Sequence, residues 1–477
     1  MQHILQHSSF YNGKFQQVDS ELKQAVYEPF SGKLLAEVAC ITQDSVNDLI
    51  ESSRRGFEIW SSYSAGERAK MLDDVANRLE VEQHAFVELL VREAGKPIRF
   101  ARTEVERAVT TLRIAAQEAL RLGGEIVPMD FGRGIGKIAQ TQRYAAGVIL
   151  GFSPFNFPLN LALHKIAPAL ASGCSIVMKA PPQTPLSLLA LCKLFLDAGL
   201  PAGVLSAVVC DNNVAASLVR DERFAVFSFT GSDAAGWYLK SLAGKKKVLL
   251  ELGGNAGVLV DESANVEDAV RQIVQSAYAY SGQVCIATQR IFVHQAIAAR
   301  FQAVMLNEIS ELASGDPMRE ETVNGPLINA QAHKRCKAWI EEAKAGGAQI
   351  LTGAEALDAS HLIWKPTLLT HVKASMRLYA DEVFAPVAIL QPITQFEEGI
   401  SQINQSRFGL QNAVFTQNIQ HVKQAFTQFR SGSVLVNLAP GFRLDHMPYG
   451  GIKDSGEGLE GVRYAIKAYT NERLLIW

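Results

Sequence analysis

Gly147-Val148-Ile149-Leu150-Gly151-Phe152-Ser153-Pro154-Phe155-Asn156-Phe157-Pro158 passes from an apolar strand straight into a loop stiffened by two prolines. Working outward, the sequence predicts an apolar helix over 159–172, then the strand Ser175-Ile176-Val177-Met178. A helix over 185–198 comes next, ended by Gly199, and leads to the strand Leu205-Ser206-Ala207-Val208-Val209. Ala225-Val226-Phe227-Ser228-Phe229 runs into Gly231 and a further helix, and Val248-Leu249-Leu250 is another apolar run. Strand and helix alternate in the order β-α-β-α-β. That order predicts an α/β fold with a doubly wound parallel sheet, whose ligands sit at the carboxyl ends of the strands.

A second α/β region runs from about 255 to 454, with strands such as Arg290-Ile291-Phe292-Val293 and Val434-Leu435-Val436-Asn437. Before the first sheet, apolar residues recur at three- and four-residue spacing over 45–60, 67–93 and 97–121, predicting helices with breaks at Ala65-Gly66 and Ala94-Gly95. Residues 11–36 read as one or two hairpins, turning at Tyr11-Asn12-Gly13-Lys14 and Pro29-Phe30-Ser31-Gly32-Lys33. Gly123-Gly124 ends the helical region, and 125–130, 137–144 and the terminal Glu472-Arg473-Leu474-Leu475-Ile476-Trp477 are extended. A ribbon of this kind buries little by itself and needs another surface. Gly456-Glu457-Gly458-Leu459-Glu460-Gly461 matches the dinucleotide pattern G-x-G-x-x-G, but no apolar strand precedes it and too little chain follows for a β-α-β unit. It is predicted as a turn into a short helix.

The chain has 477 residues, enough for two or three structural units. A formal net charge of −2 gives no polycationic footprint, which argues against nucleic acid and anionic membrane surfaces as partners. The start, Met1-Gln2-His3-Ile4-Leu5-Gln6-His7, has no basic stretch followed by an apolar run, and the apolar stretch around 186–200 is broken by Lys193 and Asp197. The expectation is a soluble, cytoplasmic protein. Its six cysteines are scattered without a C-x-x-C pair, and its histidines without ligand spacing, so neither a disulfide framework nor a metal site is expected.

Chemistry concentrates at a few strand ends. Glu251-Leu252-Gly253-Gly254-Asn255 delivers a carboxylate from a strand to a glycine turn, and Gly282-Gln283-Val284-Cys285 sets a cysteine in a glycine-containing loop. A lone cysteine is usually a small buried hydrophobe. A thiol near a carboxylate can instead act as a nucleophile, with the carboxylate activating it or the water that attacks its acyl adduct. Thr230-Gly231-Ser232 follows a strand and opens a helix, which suits either a capped helix start or a pyrophosphate site. Lys179, at a strand's carboxyl end before a proline-stiffened segment, either reaches solvent or meets a polar group. Asn156 fits an Asx-turn or an amide donating to an oxyanion.

Together these segments resemble the aldehyde dehydrogenase superfamily. Glu251-Leu252-Gly253-Gly254 is similar to its E-L-G-G-x general-base strand and Gly282-Gln283-Val284-Cys285 to its G-Q-x-C nucleophile loop. Pro154-Phe155-Asn156-Phe157-Pro158 is similar to P-W-N-F-P, with Phe155 in place of Trp, and Gly231-Ser232 opens the family's G-S-x-x-x-G turn. Glu382-Val383-Phe384-Ala385-Pro386 resembles E-x-F-G-P, with Ala385 for Gly. Pro448-Tyr449-Gly450-Gly451-Ile452-Lys453-Asp454-Ser455-Gly456 resembles P-F-G-G-x-K-x-S-G, while the usual G-R-E-G becomes Gly458-Leu459-Glu460-Gly461. The matches cover about 147–461 in family order.

The resemblance implies a Rossmann-like cofactor domain (1–122 and 146–254), an α/β catalytic domain (255–454) and a small extended oligomerisation arm (123–145 and 455–477), assembled as a homodimer or homotetramer. It implies oxidation of an aldehyde to an acid with NAD or NADP. Cys285 would attack the carbonyl, Asn156 and the Cys285 N–H would hold the oxyanion, and Glu251 would activate the water that cleaves the thioester. Phe152, Ser153, Pro154, Lys179, Gly231, Ser232, Leu252, Glu382 and Phe384 would hold the cofactor. Relatives that prefer NAD often carry a Glu three positions after the lysine; here that place is Pro182, so the choice of cofactor stays open. Arg107 and Arg443 fall where relatives bind anionic tails, pointing to a short semialdehyde or small hydroxyaldehyde, although Asp445 is an obvious ion-pair partner for one of them. A CoA-acylating enzyme, which generally lacks the Glu, and a non-catalytic member of the fold are the other readings.

Overall fold

The structure, a computed structural model, describes residues 8–16 and 22–477. The reading of residues 1–7 and part of the hairpin reading over 11–36 lie outside the described residues.

The first sheet has eight strands. Its parallel centre runs Leu205–Val208, Ser175–Lys179, Val148–Phe152, Phe224–Thr230, Lys247–Glu251, the doubly wound order expected. The hairpin Phe10–Tyr11/Lys14–Phe15 adds antiparallel to one edge and Gly456–Glu457 to the other. Strand alternation divides the core between the two faces. Ile176 and Met178 join Leu163, Ile166 and Leu189 on one side, while Val177 joins Leu49, Leu150 and Phe227 on the other. Each such buried aliphatic contributes about 1.5–3 kcal/mol. Register then aligns the carboxyl ends: Phe152 sits opposite Lys179 and Phe229, and Thr230 opposite Glu251.

The second sheet has seven strands, in the order Gln349–Thr352, Thr367–Thr370, Val387–Ile393, Thr288–His294, Ala256–Val260, Gln411–Phe415, Ser433–Val436, all parallel except the first. A separate ribbon of Ile126–Val127, Ala139–Ala145 and Thr470–Ile476 stands off the body, with Ile126, Phe131, Leu474, Leu475 and Trp477 exposed.

Several details differ from the sequence reading. The helix expected over 67–93 is two, Ala65–Val81 and Gln83–Ala94, because Glu82 leaves helical geometry between them. Ala65-Gly66 is no break but the first turn: Ser64 caps it, accepting from the Glu67 N–H at 3.3 Å while the Glu67 carboxylate accepts from the Ser64 N–H at 2.7 Å. The helix Asn212–Arg220, capped by Asp211, was not anticipated. Gly456–Glu457 is a strand and not merely a turn, since its backbone pairs with Leu250 and Glu251, and only then does the short helix Val462–Ala468 begin. That helix packs on the first core through Val462, Ala465 and Ile466.

Candidate active site

Cys285 lies between the helix Val266–Tyr278 and the strand Thr288–His294, after a tight turn in which Tyr280, Ser281 and Gly282 all have positive φ (51°, 58° and 67°). Such a backbone costs about 1–3 kcal/mol per non-glycine residue and persists only where the surroundings hold it. Here Tyr280 Oη donates to Ala94 O (3.0 Å) and Ser281 Oγ to Gly325 O (2.8 Å). The Gln283 side chain donates to Pro326 O (3.2 Å) and accepts from the Ile328 N–H (2.9 Å). Of the six cysteines only Cys285 is not buried.

The glycine turn after Glu251 packs directly on this loop. A side chain at Gly254 would lie 2.1 Å from the Cys285 carbonyl oxygen, and one at Gly253 2.7 Å from Glu382 Oε2. Glu382 Oε1 accepts from the Gly254 N–H at 2.9 Å. Bare backbone at two positions therefore brings Glu251, Cys285 and Glu382 together.

Glu251 ends its strand with its carboxylate buried, and its Oε2 has no hydrogen-bond partner among the described residues. Burial and the nearby Glu460 raise its pKa well above the usual carboxylate range, against the pull of Arg443 and Lys165. Glu460 goes the other way: burial opposes its charge, but Lys165, His164 and Arg443 outweigh it. Lys165 Nζ donates to Thr230 Oγ1 (2.7 Å) and Glu460 Oε1 (3.4 Å). Burial pushes the Cys285 thiol up to about 11; Tyr449 and Arg443 favour its ionised form, and Glu382 and Glu251 disfavour it.

Asn156 is buried and donates through Nδ2 to Gln283 O at 2.9 Å, which fixes the amide against the cysteine loop and leaves its second N–H for another acceptor. Phe155 meets Phe384 edge-on with ring centroids 5.8 Å apart. Along the sheet's carboxyl edge, Ser153 Oγ is buried with no partner among the described residues, and Lys179 is desolvated beside the Cys210 and Cys40 thiols rather than a carboxylate. Ser232 caps the helix Asp233–Leu242, accepting from the Ala235 N–H at 3.4 Å. Gly236 lets the Leu252 side chain close on that helix, since a side chain there would lie 2.3 Å from Leu252 Cδ2. An orphaned hydroxyl, an unneutralised lysine and a helix N-terminus at one edge fit an anionic dinucleotide. Burial pushes Glu382, nearby, up to about 8.

The two arginines sit close by. Arg107, on the helix Ile98–Leu120, grips Asp445 through Nε (3.1 Å) and Nη2 (2.6 Å); Asp445 also accepts from Asn160 (3.0 Å) and meets His164 (2.8 Å). Arg443 Nη2 donates to Glu460 Oε2 (2.9 Å), while its Nε is buried without a partner among the described residues. Its guanidinium stacks 3.7 Å from the Tyr449 ring centroid. Sequence reasoning missed Gln283, Lys165 and the Tyr449 hydroxyl. It also missed Arg407, which joins Asp233 beside the phosphate-type turn to Asp381 and Asp454. Contact geometry singles out Lys165 and Arg407, whereas Gln283 and Tyr449 stand in the quoted motifs, Tyr449 in place of the signature's Phe.

Two α/β sheets with a cysteine, a carboxylate and an edge that suits an anionic dinucleotide are the arrangement of a dinucleotide-dependent oxidoreductase. The model of the aldehyde dehydrogenase family matches residues 15–475, and the chain belongs to that family. It is 37% identical over 475 residues to a 3-sulfolactaldehyde dehydrogenase of Priestia megaterium, covering 99% of this chain and 98% of that one. Its fold matches aldehyde dehydrogenase 21 of Physcomitrella patens in complex with succinate (TM-score 0.96, 32% identity, 99% and 98% of the two chains). It also matches the NADP-dependent glyceraldehyde-3-phosphate dehydrogenase of Bacillus halodurans complexed with NADP (TM-score 0.95, 32% identity, 99% of each). The protein is an NAD(P)-dependent aldehyde dehydrogenase. Among the described residues, no cluster of His, Cys, Asp or Glu could hold a metal ion and no helix is long and apolar enough to cross a membrane.

Proposed function

We propose that the protein oxidises a short aldehyde to the acid, either a semialdehyde with an anionic tail or a small hydroxyaldehyde, and that the anionic semialdehyde is the better fit. The observation that carries this is the buried Arg443, stacked on the Tyr449 ring whose hydroxyl touches the Cys285 sulfur, with an unspent N–H. Arg107 grips Asp445, which also meets His164, and His164 in turn lies within the electrostatic reach of Arg443. The Priestia relative is named for 3-sulfolactaldehyde, an aldehyde with a sulfonate tail, and the moss enzyme holds its reaction product succinate, in which one carboxylate is the new acid and the other is such a tail.

In the proposed sequence, Cys285 thiolate adds to the carbonyl carbon, and the free Asn156 N–H and the Cys285 N–H take the oxyanion. Lys179, Ser153, Ser232 and the Gly231 turn would hold the dinucleotide, and Glu382 and Phe384 would hold its nicotinamide half. Bound NAD(P)⁺ supplies the acceptor for the aldehyde hydride, and Cys285 is left as a thioester. Glu251 takes a proton from the water that attacks this thioester, releasing the acid and the thiolate. The exposed apolar side chains of the ribbon support a homodimer or homotetramer, because contiguous exposed apolar surface marks an interface.

Two variants, Arg443→Ala and Arg107→Ala, test the substrate class through kcat/KM on succinic semialdehyde and on a neutral aldehyde of matched length. A charge-assisted contact costs the acidic substrate about 1.5–3 kcal/mol more than the neutral one. Equal losses on both would reject the anionic tail. Added CoA should not replace water as acyl acceptor.

A further inference from the structure

Tyr449 Oη lies 3.3 Å from Cys285 Sγ. The family signature carries Phe at this place, so the hydroxyl adds a polar group that the signature lacks. Tyr449 is only 3% exposed, so water does not compete for its O–H. The Arg443 guanidinium lies 3.7 Å from the ring centroid and is itself fixed by Glu460 at 2.9 Å. A cation on the ring face draws electron density from the phenol and strengthens its O–H as a donor. The charged and titratable groups acting on the thiol are Tyr449 and Arg443, which favour the thiolate, and Glu382 and Glu251, which oppose it. Two carboxylates beside a nucleophile that must become an anion need a counterweight, and among the described residues the side chain hydrogen-bonded to the sulfur is Tyr449.

We infer that Tyr449 is a further catalytic residue, whose phenol O–H donates to the Cys285 sulfur and favours its ionisation to the attacking thiolate against the burial that disfavours it, with Arg443 strengthening that donation from below the ring. On ionisation the thiol proton passes to solvent and Tyr449 keeps its own. When the sulfur bonds to the aldehyde carbon it loses its charge, and the hydrogen bond weakens as the nucleophile is consumed. The inference rests on Cys285 being the nucleophile and is independent of which aldehyde is oxidised.

The test is iodoacetamide alkylation of Cys285 in the free full-length enzyme, followed by mass spectrometry of the Cys285 peptide between about pH 7 and pH 12, a range that reaches past the raised thiol midpoint. The other five cysteines are buried, and the peptide readout separates them. Losing a hydrogen bond to an ionised group raises the thiol midpoint by about one to two pH units. Tyr449→Phe should therefore be alkylated about tenfold more slowly or worse at neutral pH, with the gap closing toward the alkaline end. A purely structural role for Tyr449 would not move the profile along the pH axis. Unchanged midpoints, or a midpoint that falls, would overturn the proposal. Should Tyr449→Phe melt early, a Tyr449→3-fluorotyrosine enzyme decides the matter: its more acidic phenol donates better, and its midpoint must move down rather than up. Full activity after complete alkylation of Cys285 would overturn the nucleophile assignment, and this inference with it.

Discussion

Lys96 and Glu104 form an ion pair in which neither side chain has any exposure. The pair lies behind the Asn156 loop. Glu104 Oε1 accepts from the Leu159 and Asn160 N–H groups at 3.0 and 3.1 Å, and Lys96 Nζ sits 3.7 Å from the Phe157 ring centroid. Glu104→Gln keeps the shape but leaves a buried ammonium unpaired, which costs about 3–5 kcal/mol. Urea denaturation should show a loss of that size for the single variant and a much smaller one for Lys96→Met combined with Glu104→Gln. Similar losses in both would mean the pair contributes only packing.

Glu251 and Cys285 divide the labour of the proposed sequence. Cys285→Ala should abolish turnover. Glu251→Gln should release one equivalent of NAD(P)H per active site in a rapid burst and then stall, because deacylation alone needs the base. Wild-type turnover without a burst in Glu251→Gln would contradict this division.

The pH profile should carry the mark of Glu460. Burial and Glu460 raise the Glu251 carboxyl, so Glu251 is protonated, and useless as a base, up to a higher pH than an ordinary glutamate. Activity should accordingly fall off on the acid side above the normal carboxylate range. Glu460→Gln removes the like charge and frees Arg443 and Lys165 to face Glu251, so the acid limb of kcat should move to lower pH. A limb that moves up, or stays, would exclude Glu460 as the cause.

Cofactor choice follows from Lys179. No carboxylate is among the groups acting on it, and position 182 is a proline, so nothing evident there repels a 2′-phosphate. NADP⁺ should be used at least comparably with NAD⁺. A preference for NAD⁺ above about a hundredfold in kcat/KM, roughly 2.7 kcal/mol, would mean another residue excludes the phosphate.

The ribbon offers a test of assembly. Ile126 is 83% exposed and Leu474 56% exposed in the isolated chain. If a second copy covers them, Ile126→Glu with Leu474→Glu should lower the mass measured by light scattering while leaving the far-ultraviolet dichroism intact. An unchanged mass would place the interface elsewhere.

Much of the fold was legible because single strands carry their own signal. Ser175-Ile176-Val177-Met178 is apolar on both faces, and that alone marks a buried parallel strand. Glu251 and Cys285 could be singled out because Glu251 ends an apolar strand just before a glycine turn and Cys285 lies in a glycine-containing loop. The boundary at Glu82 was not, since nothing in its neighbours breaks the apolar spacing and the helix simply restarts at Gln83. Gly456–Glu457 was hidden for a different reason: a strand that short is defined by its partner, Leu250–Glu251, and not by its own composition. Arg107 and Arg443 were found by place, but their partners were only half foreseen. Asp445 is near Arg443 in sequence yet binds Arg107, and Arg443 turns to Glu460.

The bond from Lys165 to Glu460 joins positions 295 residues apart. Contacts of such range form late, because most of the loop-closure entropy must be lost before they are rewarded. Glu251, the proposed general base, is therefore tuned by an ion pair that forms only after distant parts of the chain have docked. Catalysis should serve as a sensitive gauge of native assembly: during refolding, helical signal should return first and turnover last, and mild denaturant should silence the enzyme while most of its secondary structure survives.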